Sequence, residues 1–140
     1  MISLDELHQQ NHEISSISNV LRRLVKNRLV LDNQVVSELF FRYFDKVKQH
    51  LADEQPLYAN LLVNNDQSVR NITRQFVSGD SEIKRILNTF TQRWTKRNAL
   101  LINNHDQFIA DAQDIFKLID QRTQHETERL YPLIRNQLET

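Results

Sequence analysis

Two polar pairs have the types and spacing to do chemistry: His50 with Glu54, and Arg122 with Glu126, each four residues apart. Residues four apart on a helix stack on one face, so each pair presents a nitrogen-bearing side chain and a carboxylate together. Both pairs lie in line with apolar residues. One stripe reads Val36, Phe40, Tyr43, Val47, His50, Glu54, Leu57, Leu61, and the other Phe108, Ala112, Ile115, Ile119, Arg122, Glu126, Leu130, Leu133. A third stripe, Leu4, Leu7, Asn11, Ile14, Ile17, Leu21, Leu24, is interrupted once, by Asn11. Carboxylates placed in a core need a cation, because burying an unpaired charge is costly. One cation would be a metal ion held by His50, Glu54 and Glu126, a nitrogen and oxygen set that suits iron, manganese or zinc. The other is Arg122, whose guanidinium can bond a carboxylate in two-pronged fashion, with Asn11 and His50 satisfying the remaining lone pairs. A permanent positive charge beside the site opposes a divalent ion, which favours a metal-free polar plug.

The elements that must position these residues are helices. One glycine and two prolines in 140 residues leave little from which to build hairpins, and the apolar spacing is three and four rather than two. Ser3 followed by Glu6 opens the first helix with a capping-box pattern. Asp32-Asn33, Asn64-Asn65-Asp66 and Asn103-Asn104 mark the turns. The third helix carries Val69, Ile72, Phe76, Gly79, Ile83, Ile86, Phe90 and Trp94. Gly79 either admits a close neighbour or breaks the rod with Asp80 or Ser81 as a new cap, and a kink or break is the expectation. Pro132 should bend or loosen the last turn of the fourth helix. Together these give one domain over residues 1–140, an all-α, antiparallel up-down-up-down four-helix bundle. The second and fourth helices echo each other, with Leu57-Tyr58 after Glu54 and Leu130-Tyr131 after Glu126.

Composition narrows the function. Eighteen basic and eighteen acidic residues give a net charge of zero, so no global field draws the chain to nucleic acid or membrane. The absence of cysteine removes disulfides, thiolate nucleophiles and sulfur-ligated metals. The opening MISLDELHQQ lacks a signal-peptide pattern, and no apolar run approaches the roughly 20 residues of a membrane span, so a cytoplasmic protein is expected. Between residues 68 and 100 seven basic residues (Arg70, Arg74, Lys84, Arg85, Arg93, Lys96, Arg97) face two acids, Asp80 and Glu82. Without a helix-turn-helix pattern this reads as a solvated surface rather than a nucleic-acid face. No phosphate loop, Glu-x-x-His pair or His-Glu-x-x-His is present, so no enzyme is expected.

From Gln10-Asn11-His12-Glu13-Ile14 to Leu130-Tyr131-Pro132-Leu133, with its strongest segments at His50-Leu51-Ala52-Asp53-Glu54 followed by Leu57-Tyr58 and at Glu126 followed by Leu130-Tyr131-Pro132, the chain resembles the hemerythrin-like, or HHE cation-binding, domains. The resemblance implies a four-helix bundle holding a two-iron centre. It implies ligands at His50 and Glu54 on the second helix and at Glu126 on the fourth. The first-helix histidine position falls on Asn11, the fourth-helix histidine position falls on Arg122, and the third helix has no histidine. His12 and His125, each next to an expected position, are candidate shifted ligands; His8 and His105 read as surface residues. Intact stripes with depleted ligands point to a non-enzymatic regulatory or interaction module that acts on a protein partner and carries no cofactor. The alternatives are an oxygen or redox sensor binding iron or another divalent metal through the remaining ligands, and a regulator that binds nucleic acid or a partner through the basic side of the third helix.

Overall fold

The computed structural model describes residues 1–31 and 33–139. Four long helices dominate: α1 (Leu4–Leu24), α3 (Gln34–Leu62), α4 (Gln67–Trp94) and α5 (His105–His125), with a short α2 (Arg28–Leu31) before α3 and α6 (Tyr131–Glu139) after α5. Each long helix starts at a short polar cap: the side chains of Ser3, Asn33, Asp66 and Asn104 accept from backbone N–H groups of the first turn. Asp32, half of the first expected turn, lies outside the described residues, while Asn33 serves as the cap of α3.

α1 packs on α3, α3 on α4, α4 on α5, and α5 back on α1. Neighbours are antiparallel. Gln10 meets Asp53 while Glu13 meets Lys46; Phe44 meets Phe90 while Tyr58 meets Asp80; Trp94 meets Asp111 while Phe76 meets Arg122. The bundle is therefore the up-down-up-down arrangement that the stripes imply.

The helix break expected at Gly79 does not occur; α4 is continuous from Gln67 to Trp94. The glycine serves close approach instead: a Cβ there would stand 3.0 Å from Nη1 of Arg122. Asp80 is accordingly no cap but a buried residue, and the inward face of α4 reads Thr73, Phe76, Asp80, Ile83, Leu87, Phe90, Trp94, with Ile72 and Ile86 only partly buried. The connection from α4 to α5 is also more structured than a polar loop. Strands β1 (Thr95–Lys96) and β2 (Ala99–Leu100) form a small antiparallel hairpin whose two turn residues, Arg97 and Asn98, both have positive φ, as a type I′ turn requires.

The chain is distorted before Pro132 rather than at it. Residues Glu126–Leu130 form one π-helical turn, in which the N–H of Tyr131 bonds the carbonyl of Glu126, five residues back. Such a turn gives the proline ring, which cannot donate and crowds the preceding turn, room to enter α6. The extra residue also shifts the inward face by one. Leu130, Tyr131 and Ile134 are buried, whereas Leu133 is only half-buried.

The core is in two parts. A large apolar cluster includes Phe40, Phe44, Phe90, Trp94, Phe108 and Phe116, and a smaller one includes Leu7, Leu57, Leu61, Phe76, Leu130 and Ile134. Most of the buried polar residues of the bundle are gathered around His50, Glu54, Arg122 and Glu126.

Candidate metal and polar centre

His50 and Glu54 come from α3, Arg122 from the last turn of α5, Glu126 from the π turn, Asn11 from α1 and Asp80 from α4, so every wall of the bundle contributes. Glu54 and Glu126 are 0% exposed and His50 3%. Bulk water does not reach these carboxylates, and protein groups surround them.

The two glutamates lie side by side, and their oxygens face two different neighbourhoods. On one side stands Arg122. Its Nε donates to Oε2 of Glu126 at 3.1 Å, and its Nη2 donates to Oε2 of Glu54 at 3.1 Å and to the Tyr58 hydroxyl at 2.9 Å. Nη2 also pairs with Asp80 at 2.5 Å, and Nη1 donates to the carbonyl of Phe76 across the gap left by Gly79. The guanidinium lies over the Phe76 ring, 4.7 Å from its centre. Tyr58 in turn donates to Glu54 or Asp80, each at 3.2 Å.

On the other side stand His50, Tyr131 and Asn11. Nε2 of His50 is 3.0 Å from Oε1 of Glu54 and 3.0 Å from Oε1 of Glu126. The Tyr131 hydroxyl is 3.1 Å from Oε1 of Glu54 and 3.2 Å from Oε1 of Glu126, and it accepts from Nδ2 of Asn11 at 2.9 Å. Asn11 also donates to Glu126 at 3.0 Å. A relay from the surface sets the imidazole: Gln10 donates its amide N–H to Asp53 at 2.7 Å, which turns its oxygen toward Nδ1 of His50, also at 2.7 Å. Nδ1 therefore carries a proton, and Nε2 is the nitrogen aimed at the carboxylates.

The charges are adjusted to this geometry. Burial opposes the imidazolium of His50, but its hydrogen bonds to Glu126 and Glu54 outweigh that and push its pKa up to about 9. Burial, together with the neighbouring Glu126, raises Glu54 well above the usual carboxylate range. Glu126 goes the other way: burial works against its charge, but Glu54, His50 and Arg122 hold it ionised. A proton on the pair is therefore held more readily by Glu54 than by Glu126. Burial also raises Asp80, against the pull of Arg122. With one proton on the glutamate pair, the carboxylates of Glu126 and Asp80 would balance Arg122 and a protonated His50, and the layer would be neutral.

Of the residues singled out from sequence, the structure gathers Asn11, His50, Glu54, Arg122 and Glu126 into one cluster. His50, Glu54 and Glu126 each offer a donor atom, all within 4.8 Å of one another, and this group could hold a metal ion. His12 and His125 are not brought to it. Both are exposed, His125 lining a groove of about 180 Å³ over Gly79 beside Arg122 and Arg129. His8, expected at the surface, is half-buried with its ring edge-on to Tyr131 at 4.8 Å, and His105 is half-buried at the start of α5. Phe76, Phe90 and Trp94 are core residues, as their spacing suggests. Of the basic residues of α4, Arg85 pairs with Glu82, and Arg93 pairs with Asp111 while lying over Trp94.

Asp80, Tyr58, Tyr131 and Gln10 complete the cluster and were not among the residues expected to form it. The repeated Leu-Tyr after each glutamate is the trace that the two tyrosines leave in the sequence. Asp80 and Gln10 leave none, since each lies one residue off its stripe.

A four-helix bundle with a buried layer of carboxylates, an imidazole and a guanidinium defines an all-α bundle protein with a polar centre. The model of the hemerythrin HHE cation-binding domain matches residues 3–134, and the chain belongs to that family. Comparison with curated proteins and with solved structures finds no match. Among the described residues, no helix is long and apolar enough to cross a membrane.

Proposed function

We propose that this protein is a non-enzymatic regulatory or interaction module of the cytoplasm, in which a degenerate hemerythrin site has been reduced to a single cation position. The observation that carries the reading is the guanidinium of Arg122, bonded at once to Glu54, Glu126 and Asp80. A resident cation of the protein's own stands on one side of the glutamate pair. The two-iron centre that the family resemblance implies does not fit these residues, because α4 offers no histidine and its inward Asp80 is already paired with Arg122. One metal ion does fit, on the opposite side, between His50, Glu54 and Glu126.

The two occupants inferred from sequence, arginine plug and metal, thus belong to different halves of one cluster. Charge supports their coexistence. A divalent ion would replace the Nε2 proton of His50 and the proton shared by the glutamates, so the layer would be neutral with or without it. Its arrival would redirect the bonds that Asn11 and Tyr131 make to Glu126, and these tie α1 to the π turn and α6. That link is a route by which metal occupancy, or its loss, changes the surface offered to a protein partner.

Metal analysis of protein purified from metal-replete cells tests the reading. It expects a single cation position, with one equivalent of a transition metal per chain retained on purification or taken up when iron, zinc or manganese is added. Two equivalents of iron per chain would overturn it.

A further inference from the structure

We infer that the phenol oxygen of Tyr131 is a fourth ligand of the cation position, and that the site so completed is matched to a trivalent, oxygen-preferring ion such as ferric iron. The inference rests on the one-cation reading given above and adds a residue and a metal class to it.

The geometry is that of four donors around one centre. Among Nε2 of His50, Oε1 of Glu54, Oε1 of Glu126 and Oη of Tyr131, five of the six separations are 3.0, 3.0, 3.1, 3.2 and 3.5 Å. Four donors with such separations surround a centre roughly 2 Å from each, the distance at which nitrogen and oxygen bind first-row metal ions. Tyr131 is not free to leave this position. It is 1% exposed, its ring is braced edge-on by His8, and the π turn is what brings a residue five positions after Glu126 onto the same face. Tyr58, the matching tyrosine of α3, lies on the arginine side instead, against Arg122, Asp80 and Oε2 of Glu54.

The donor set is one imidazole nitrogen and three oxygens, a hard set with no sulfur. When ferric iron binds, three protons would leave to the buffer, one from the phenol O–H, one from Nε2 of His50 and one shared by the glutamates, as bonds from the iron to these donors form; no electron is exchanged because the iron arrives oxidised. Phenolate, Glu54, Glu126 and Asp80 then carry four negative charges, matched by the ion and Arg122, with His50 neutral. The buried layer stays uncharged, as burial demands.

The test uses the whole metal-free chain with ferric citrate, reading iron per chain after desalting together with visible absorption and resonance Raman scattering. We expect one iron per chain and a phenolate-to-iron charge-transfer band with phenolate vibrations. Tyr131→Phe should abolish the band and weaken iron binding at least tenfold. The protein has three tyrosines, so the double variant Tyr43→Phe/Tyr58→Phe leaves Tyr131 alone, and its retention of the band assigns the ligand even where Tyr131→Phe does not fold. One iron per chain without the band, or a band that survives Tyr131→Phe or vanishes from the double variant, overturns the tyrosine assignment and leaves the one-cation reading standing. Wild type that takes up no iron, zinc or manganese overturns both.

Discussion

Replacing Arg122 by alanine removes in one step the donors to Glu126 at 3.1 Å, to Glu54 at 3.1 Å and to Tyr58 at 2.9 Å, and the ion pair with Asp80. Both glutamates are 0% exposed, so water cannot take over without opening the bundle. Deleting one partner of a buried ion pair costs about 3–5 kcal/mol. An independent estimate comes from the cheapest escape, which is for one more carboxylate to take up a proton. From an ordinary carboxyl pKa of about 4.3, at about 1.4 kcal/mol per pH unit, that costs about 3.7 kcal/mol at pH 7 and about 1 kcal/mol at pH 5. The two estimates agree at neutral pH, and the second adds a signature. The deficit of Arg122→Ala, measured by urea unfolding with linear extrapolation, should be about 3–4 kcal/mol at pH 7 and smaller by about 2–3 kcal/mol at pH 5. A deficit under about 1 kcal/mol at pH 7 would refute the claim that the guanidinium neutralises the carboxylates. A large deficit with no pH dependence would trace the loss to packing on Phe76 instead. The same variant should bind a divalent metal more tightly than wild type, since a like charge beside the cation position is gone.

The remaining expectations concern His50, Glu54 and Gly79. His50 has a folded pKa of about 9, above its unfolded value, so its contribution is complete below about pH 6.5 and is lost as pH rises through about 9. Wild type should lose on the order of 3 kcal/mol of unfolding free energy between about pH 6 and pH 10, and His50→Gln should flatten that slope; an equal slope in the variant would show that other groups cause it. Zinc or iron should raise the melting temperature of wild type but not of Glu54→Ala, as monitored by circular dichroism, and equal shifts in both would place binding elsewhere. Gly79→Ala would ordinarily gain about 1 kcal/mol of helix propensity, yet here the new methyl meets a guanidinium held by Glu54, Tyr58, Phe76, Asp80 and Glu126, so a net loss of about 1 kcal/mol is expected. In an Arg122→Ala background the same change should become stabilising, and a loss in both backgrounds would mean that Arg122 is not the obstacle.

What the linear order of residues determined by itself is the set of helices and the burial of most of the polar layer. Stripes at three and four, almost no glycine or proline, and Ser3, Asn33, Asp66 and Asn104 ahead of apolar runs suffice for four helices, because those are local properties. His50, Glu54, Arg122, Glu126 and Asn11 were legible as buried because each interrupts an otherwise apolar stripe. Tertiary structure decided the rest. Gly79 and Asp80 differ by about 100° on the helix surface, and only the approach of Arg122 from α5 shows that both meet it, the glycine by making room and the aspartate by pairing. Tyr131 reaches Glu126 because the π turn inserts a residue that no periodicity reports, and Gln10 matters only through the antiparallel register that sets it between Asp53 and His50. His12 and His125, adjacent in sequence to the expected ligand positions, are exposed, since one step along a helix turns a side chain from the core to the solvent. Above all, whether arginine and a cation compete for one position or occupy two sides of a glutamate pair depends on which carboxylate oxygen faces which neighbour, and that is a property of the packed bundle alone.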